Sequence, residues 1–186
     1  ADYYERTLFN GILASQDPES GMFTYFQATR PGYVKLFHTP TDSFWCCTGS
    51  GMENHAKYGD SIYFHDADSL YVNLFIPSAV DWHEKGLRVT QATLFPNAQS
   101  TQLTLRLERP TMLALRIRHP GWCAESTVSI NGRPQTFRTA GRYIELRREW
   151  RDGDRIEVSL PMQLRLEPLP SAAEFAAILY GPIVLA

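Results

Sequence analysis

Two kinds of apolar spacing divide the chain. Over residues 2 to 16, Tyr4, Leu8, Phe9, Ile12 and Leu13 recur at helical intervals with Glu5 and Arg6 between them, which predicts an amphipathic helix. The turn formers of "QDPESG" end it, and "MFTYFQA" then reads as a strand. Residues 29 to 43, punctuated by Pro31, Gly32 and Pro40, read as a loop. "SGMENHAKYG" predicts a short helix: Ser50 and Glu53 form a capping box, Gly59 is the stop, and Met52, Ala56 and His55 share the inward face.

From about Leu70 the spacing changes to period two. "SLYVNLFIPS", "GLRVTQATLF", "TQLTLRLE", "TMLALRIRHP", "RYIELRREW" and "RIEVSLPM" are short alternating runs, separated by turns such as Asn131-Gly132 and Asp152-Gly153. This predicts an antiparallel β-sandwich or barrel. The arginines from Arg106 to Arg118 alternate with leucine and isoleucine and are expected on a solvated sheet face. Trp82, Trp122 and Trp150 are expected in the core or at a seam.

Composition narrows the class. Of 186 residues, 44% are hydrophobic and 20% charged, the balance of an ordinary globular chain. A net charge of −2 gives no footing for nucleic acid or an anionic membrane, and no apolar run is long enough to span a bilayer. The chain starts without methionine and stops inside "AAILYGPIVLA", which reads as a piece of a longer protein. An apolar face left by missing parts would let the piece self-associate. Cytoplasmic and periplasmic or secreted locations both stay open.

The chemistry concentrates in "FWCCTGSGMENHAKYGDSIYF". Cys46 and Cys47 stand side by side in a chain with three cysteines. On a strand their side chains would point to opposite faces, so the backbone is expected to bend at "TGSG" for both to serve one site. The following helix would present its positive N-terminal end to the thiols, which favours thiolate. Phe44 and Trp45 would supply aromatic walls. Two buried, inert thiols are the competing reading. Two cysteines alone do not complete a zinc site, and His38, His55 and His65 lack ligand spacing.

This stretch, followed by "LYVNLFIPS", resembles glycoside hydrolase families 127 and 146, the β-L-arabinofuranosidases. "YERTLFNGILA" is similar to the segment before their cysteine pair, and "RIRHPGW", "VSINGRP" and "LYGPIVLA" are similar to the β-domain after it. The resemblance implies an α+β fragment. Residues 1–78 would be the C-terminal part of an (α/α)6 catalytic barrel, and residues 79–186 an antiparallel β-sandwich, the middle domain. It implies a retaining mechanism with Cys46 as nucleophile and zinc ligand and Cys47 as zinc ligand, acting on an arabinose-containing glycan. Glu5 and Tyr25 are carried over as substrate-binding residues. The family's Glu-x-Cys zinc ligands have no counterpart in these 186 residues, Cys123 included, and its acid lies upstream. The chain alone is therefore expected to be inactive. A non-catalytic carbohydrate-binding or domain-packing β-module is the alternative, and a thiol-redox or zinc-storage protein a third.

Overall fold

The computed structural model describes residues 1–28, 32–43 and 45–185. Its contacts form two bodies: Tyr3–Asp60, and Ser61–Ala186 together with Ala1 and Asp2.

In the helical body the predicted first helix is present but changes pitch. α1 (Asp2–Thr7) runs into a π turn at Leu8–Ile12 and a 3-10 turn at Leu13–Ser15. The predicted strand at "MFTYFQA" does not form. Phe23 bridges Gln16 while Thr24 bridges Phe37, so adjacent residues pair with different partners and no ladder extends. Phe23 is nonetheless a packing centre, 5% exposed. Its ring lies 6.4 Å from His38 and 5.4 Å from His55. The second helix, α2 (Cys46–His55), begins five residues earlier than the capping box predicted, and Gly59 falls inside a 3-10 turn at Tyr58–Ser61.

The β-body follows the period-two reading closely. Its strands are β1 (Tyr63–His65), β2 (Ser69–Val72), β3 (Ser78–Trp82), β4 (Leu87–Thr93), β5 (Ser100–Leu107), β6 (Thr111–Arg118) and β7 (Thr127–Ile130). These are followed by β8 (Arg133–Gln135), β9 (Arg138–Ala140), β10 (Tyr143–Trp150), β11 (Arg155–Ser159), β12 (Leu164–Leu169), β13 (Ala172–Tyr180) and β14 (Ile183–Leu185). They form sheets in the orders β1-β2-β6-β10-β9, β3-β4-β5-β11-β7-β8 and β12-β13-β14. In β4 the side chains alternate buried and exposed, and Leu87, Val89 and Gln91 point inward. At the β7–β8 hairpin Asn131 (φ 52°) and Gly132 (φ 76°) are both left-handed, the geometry that a two-residue turn between twisted strands requires. Trp82 and Trp150 are buried, and the Trp150 indole donates to the Leu113 carbonyl at 3.2 Å.

Two features differ from the sequence reading. The β2–β6 pair is parallel, so the five-stranded sheet is mixed rather than purely antiparallel. Arg118 is not on a solvated face: its side chain is 2% exposed. β6 sits in the middle of its sheet and is covered on both sides, with Leu113, Leu115 and Ile117 on one face and Ala114 and Arg118 on the other. A charge there needs partners. The Arg118 guanidinium bonds Asp2 at 2.5 Å and the Asn73 carbonyl at 2.6 Å, and lies 5.1 Å from the centre of the Phe75 ring. Asp2 also accepts from Gly121 N at 3.1 Å and from Arg142 at 2.5 Å.

Burial by itself raises the Asp2 carboxyl pKa, but the charge and hydrogen bond of Arg118, the Gly121 N–H and Arg142 outweigh it, and the net shift is downward. The stabilisation is therefore present above the ordinary aspartate value of about 4 and is lost as pH falls below it through the folded value. Asp2→Ala, which strands the Arg118 charge, is expected to cost about 3 kcal/mol in denaturant unfolding. Arg142→Ala is expected to cost under about 1 kcal/mol, because its side chain is 74% exposed. Asp2→Asn should lose stability less steeply than the unaltered chain on acidification below about pH 4.

Candidate active site

The start of α2 decides the site. Trp45 is extended (φ −93°, ψ 165°) and the helix begins at the next residue, so Cys46 and Cys47 occupy its first turn. Thr48 N donates to the Trp45 carbonyl at 3.0 Å and closes that turn. Successive side chains diverge by about 100° on a helix instead of 180° on a strand. Two adjacent thiols can thus share one side without a bend after them, and their Sγ atoms lie 3.9 Å apart. Both are exposed and reduced.

The expected bend at "TGSG" is instead helix interior. Gly51 belongs there for steric reasons: a Cβ would sit 3.0 Å from the Phe23 ring. The covered stripe of α2 is Thr48, Gly51 and His55, at helical spacing. Met52, expected inside, is 50% exposed, and Ala56 is exposed too; the face that packs carries Thr48 and Gly51 instead. His55 accepts or donates at Nδ1 with the Tyr58 hydroxyl at 2.6 Å, a structural pairing. The Thr48 hydroxyl and His55 Nε2 are buried without a partner among the described residues.

Tyr25 joins the pair. Its phenol is close enough to feel the charges of Cys46 and Cys47, which raise its pKa, and its ring lies 5.1 Å from Trp45 and 4.5 Å from Phe26. Phe44, expected as the other aromatic wall, lies outside the described residues. Glu5, on α1, is 2% exposed. His38 is buried, with Nδ1 on the Thr39 carbonyl at 3.0 Å. Cys123 is buried in the β-body, and burial pushes its thiol pKa up. The sequence reading named Cys46, Cys47 and Tyr25 separately; the structure brings them together. It missed Thr48, whose small hydroxyl leaves no trace in periodicity.

The electrostatics run against the simple helix-end expectation at Cys47. Its pKa is raised, first by the hydrogen bond with Cys46, then by desolvation and by the Cys46 charge. The Tyr25 phenol is raised by the charges of Cys46 and Cys47. Removing the sulfurs must reverse that shift. In the Cys46→Ser, Cys47→Ser protein, phenolate absorbance should show Tyr25 titrating lower, nearer the free phenol; an unmoved titration would contradict the Tyr25–Cys46 contact.

A family model for the GH127 β-L-arabinofuranosidase catalytic domain matches residues 1–60, and one for the GH127 middle domain matches residues 69–162. No curated protein matches the chain. Among solved structures it is similar to a GH127 β-L-arabinofuranosidase from Geobacillus stearothermophilus T6, with TM-score 0.83 and 26% identity over 98% of this chain and 32% of that one. A GH127 β-arabinofuranosidase is similar with TM-score 0.81 and 23% identity, again over 98% and 32%. A further glycoside hydrolase gives TM-score 0.80 and 22% identity, over 98% and 34%. These last two likenesses speak for the fold alone. The chain spans about a third of the length of each of these structures. With catalytic and middle-domain matches in order, and the second alone covering about half the sequence, the chain belongs to glycoside hydrolase family 127.

Proposed function

We propose that this chain is part of a retaining glycosidase that releases terminal β-L-arabinofuranosyl units from an arabinose-containing glycan. In this reading Cys46 is the nucleophile, and Cys46 and Cys47 are zinc ligands. The observation that carries it is the sulfur geometry. Two thiolates on a tetrahedral zinc, each at about 2.3 Å, lie about 3.8 Å apart; Cys46 and Cys47 hold 3.9 Å. Among the described residues no third His, Cys, Asp or Glu joins them, so the remaining ligands come from elsewhere in the longer enzyme. Zinc bound there would keep the attacking thiol deprotonated at neutral pH.

Each residue then has a task. The Cys46 sulfur attacks the anomeric carbon as the bond to the departing oxygen breaks, and that oxygen takes a proton from a general acid supplied outside this chain. Water, giving a proton back to that same acid group, then attacks the same carbon as the C–S bond breaks and the sulfur leaves as thiolate, so two inversions give net retention. The Tyr25 hydroxyl, beside the cysteine pair, would orient the attacking sulfur. Its ring with Trp45 offers an aromatic wall to a sugar face. Glu5 and Tyr25 are the proposed substrate contacts.

The helical body supports its place in a larger (α/α)6 barrel. Tyr3 (84% exposed), Phe26 (74%), Val34 (81%) and Leu36 (72%) leave more apolar surface open than a finished body does. The two alternating sheets fit the sandwich that follows such a barrel.

In the full-length enzyme, elemental analysis should find near-stoichiometric zinc that is lost in the Cys46→Ala, Cys47→Ala protein. Zinc retained by that variant, or absent from the parent, overturns the metal assignment. Cys46→Ala should lower hydrolysis of an aryl β-L-arabinofuranoside by roughly 1,000-fold or more. Glu5→Gln and Tyr25→Phe should raise KM or lower kcat. The 186-residue chain alone should show no turnover.

A further inference from the structure

An open cleft of about 880 Å³ lies within the β-body and takes no residue from the cysteine-bearing segment. Four arginines line it: Arg138 on β9, Arg147 and Arg148 on β10, and Arg151 just beyond. Its carboxylates are already occupied. Glu145 receives Arg116 at 2.9 Å and Glu149 receives Arg151 at 3.5 Å. Asp154 accepts from the Asn131 amide at 2.8 Å and from Arg151 N at 2.9 Å. Arg148 is also engaged, donating to the Glu149 carbonyl at 3.2 Å and lying 5.3 Å from the Trp150 ring centre.

Arg138 and Arg147 differ. Both are exposed, and neither has a side-chain hydrogen bond or ion pair among the described residues. Arg138 stands directly opposite Glu145 in the β9–β10 register. Arg147 is two residues along the same strand and so on the same face. Two uncommitted guanidiniums therefore flank one neutralised carboxylate at the cavity wall. Each is a planar fork suited to a carboxylate. The rest of the lining is mixed: Gln135 and Thr136 offer hydrogen bonds, and Phe137 offers apolar contact. A simple inorganic anion would use a small part of this volume, and an apolar ligand would leave the arginines unanswered. A short sugar chain bearing carboxylates uses all of it.

We propose that this cavity binds an acidic saccharide through its uronate carboxylates, gripped by Arg138 and Arg147. The proposal rests on the reading of the protein as glycan-active and adds a second contact with the glycan, apart from the cysteines.

The test is calorimetric titration of the chain with trigalacturonate, with its carboxyl-reduced neutral counterpart and with inorganic phosphate. Trigalacturonate should bind, more weakly as salt is raised. The Arg138→Ala, Arg147→Ala protein should bind at least about tenfold more weakly, with an unchanged circular dichroism spectrum. No binding, equal binding of the neutral sugar, equal displacement by phosphate, or unchanged affinity in a folded double variant would each overturn the proposal. If that variant does not fold, the comparison of charged and neutral sugars on the unaltered chain decides alone. Binding of trigalacturonate by a full-length protein that hydrolyses no arabinofuranoside would overturn the glycosidase reading only. Hydrolysis without binding would overturn this proposal only.

Discussion

The β-body is organised around one charge that water does not reach. A guanidinium in the middle strand of a sheet is costly unless each side of it is answered. Arg118 is answered by the Asp2 carboxylate, the Asn73 carbonyl and the face of Phe75. Asn73 in turn accepts the Tyr143 hydroxyl at 2.6 Å through its side chain, and Asp2 accepts the Gly121 N–H. The exit of β2, the end of β6, the turn after it and the start of β10 are thereby fixed to a single point. Shifting β6 by one residue would turn Arg118 to the other face and leave its partners behind.

A different constraint shapes the cysteine segment. Whether two neighbouring side chains converge depends on the angle between successive residues, and the helical angle does here what a bend would otherwise have to do. Trp45 is the last extended residue, so the change of backbone falls just before the pair. Gly51 lets α2 lie against Phe23, which also packs on His38 and His55. The thiols are thus set at the exposed end of a helix whose other side is held by an aromatic.

Much of this was legible in the sequence. Period-two alternation located nearly every strand, and Asn131-Gly132 announced its hairpin, because both signals are local. The helix start was not legible: Ser50 and Glu53 form a good capping pattern, but the first turn is instead closed by a backbone bond from Thr48 to Trp45. "MFTYFQA" has strand composition yet lacks a neighbour to extend a ladder, which only tertiary structure reveals. Arg118 looked like Arg106 and Arg116 because alternation distinguishes the two faces of a strand and cannot tell when both are covered. Cys46, Cys47 and Tyr25 were legible as candidates by resemblance; that the phenol reaches Cys46 required coordinates.

The parallel pairing of β2 with β6 bears on how the chain reaches this structure. Antiparallel neighbours such as β3, β4 and β5 are joined by short turns and can zip as local hairpins. β2 and β6 are separated by residues 73–110, so their pairing must wait until the intervening chain has closed a long loop. The β3-β4-β5 meander therefore has a head start, whereas the pairing of β2 with β6, and of β5 with β11 across residues 108–154, waits for a long loop to close. Until β2 arrives, the unpaired edge of β6 presents its backbone groups to any other chain, so the rate of that closure bears on aggregation during folding.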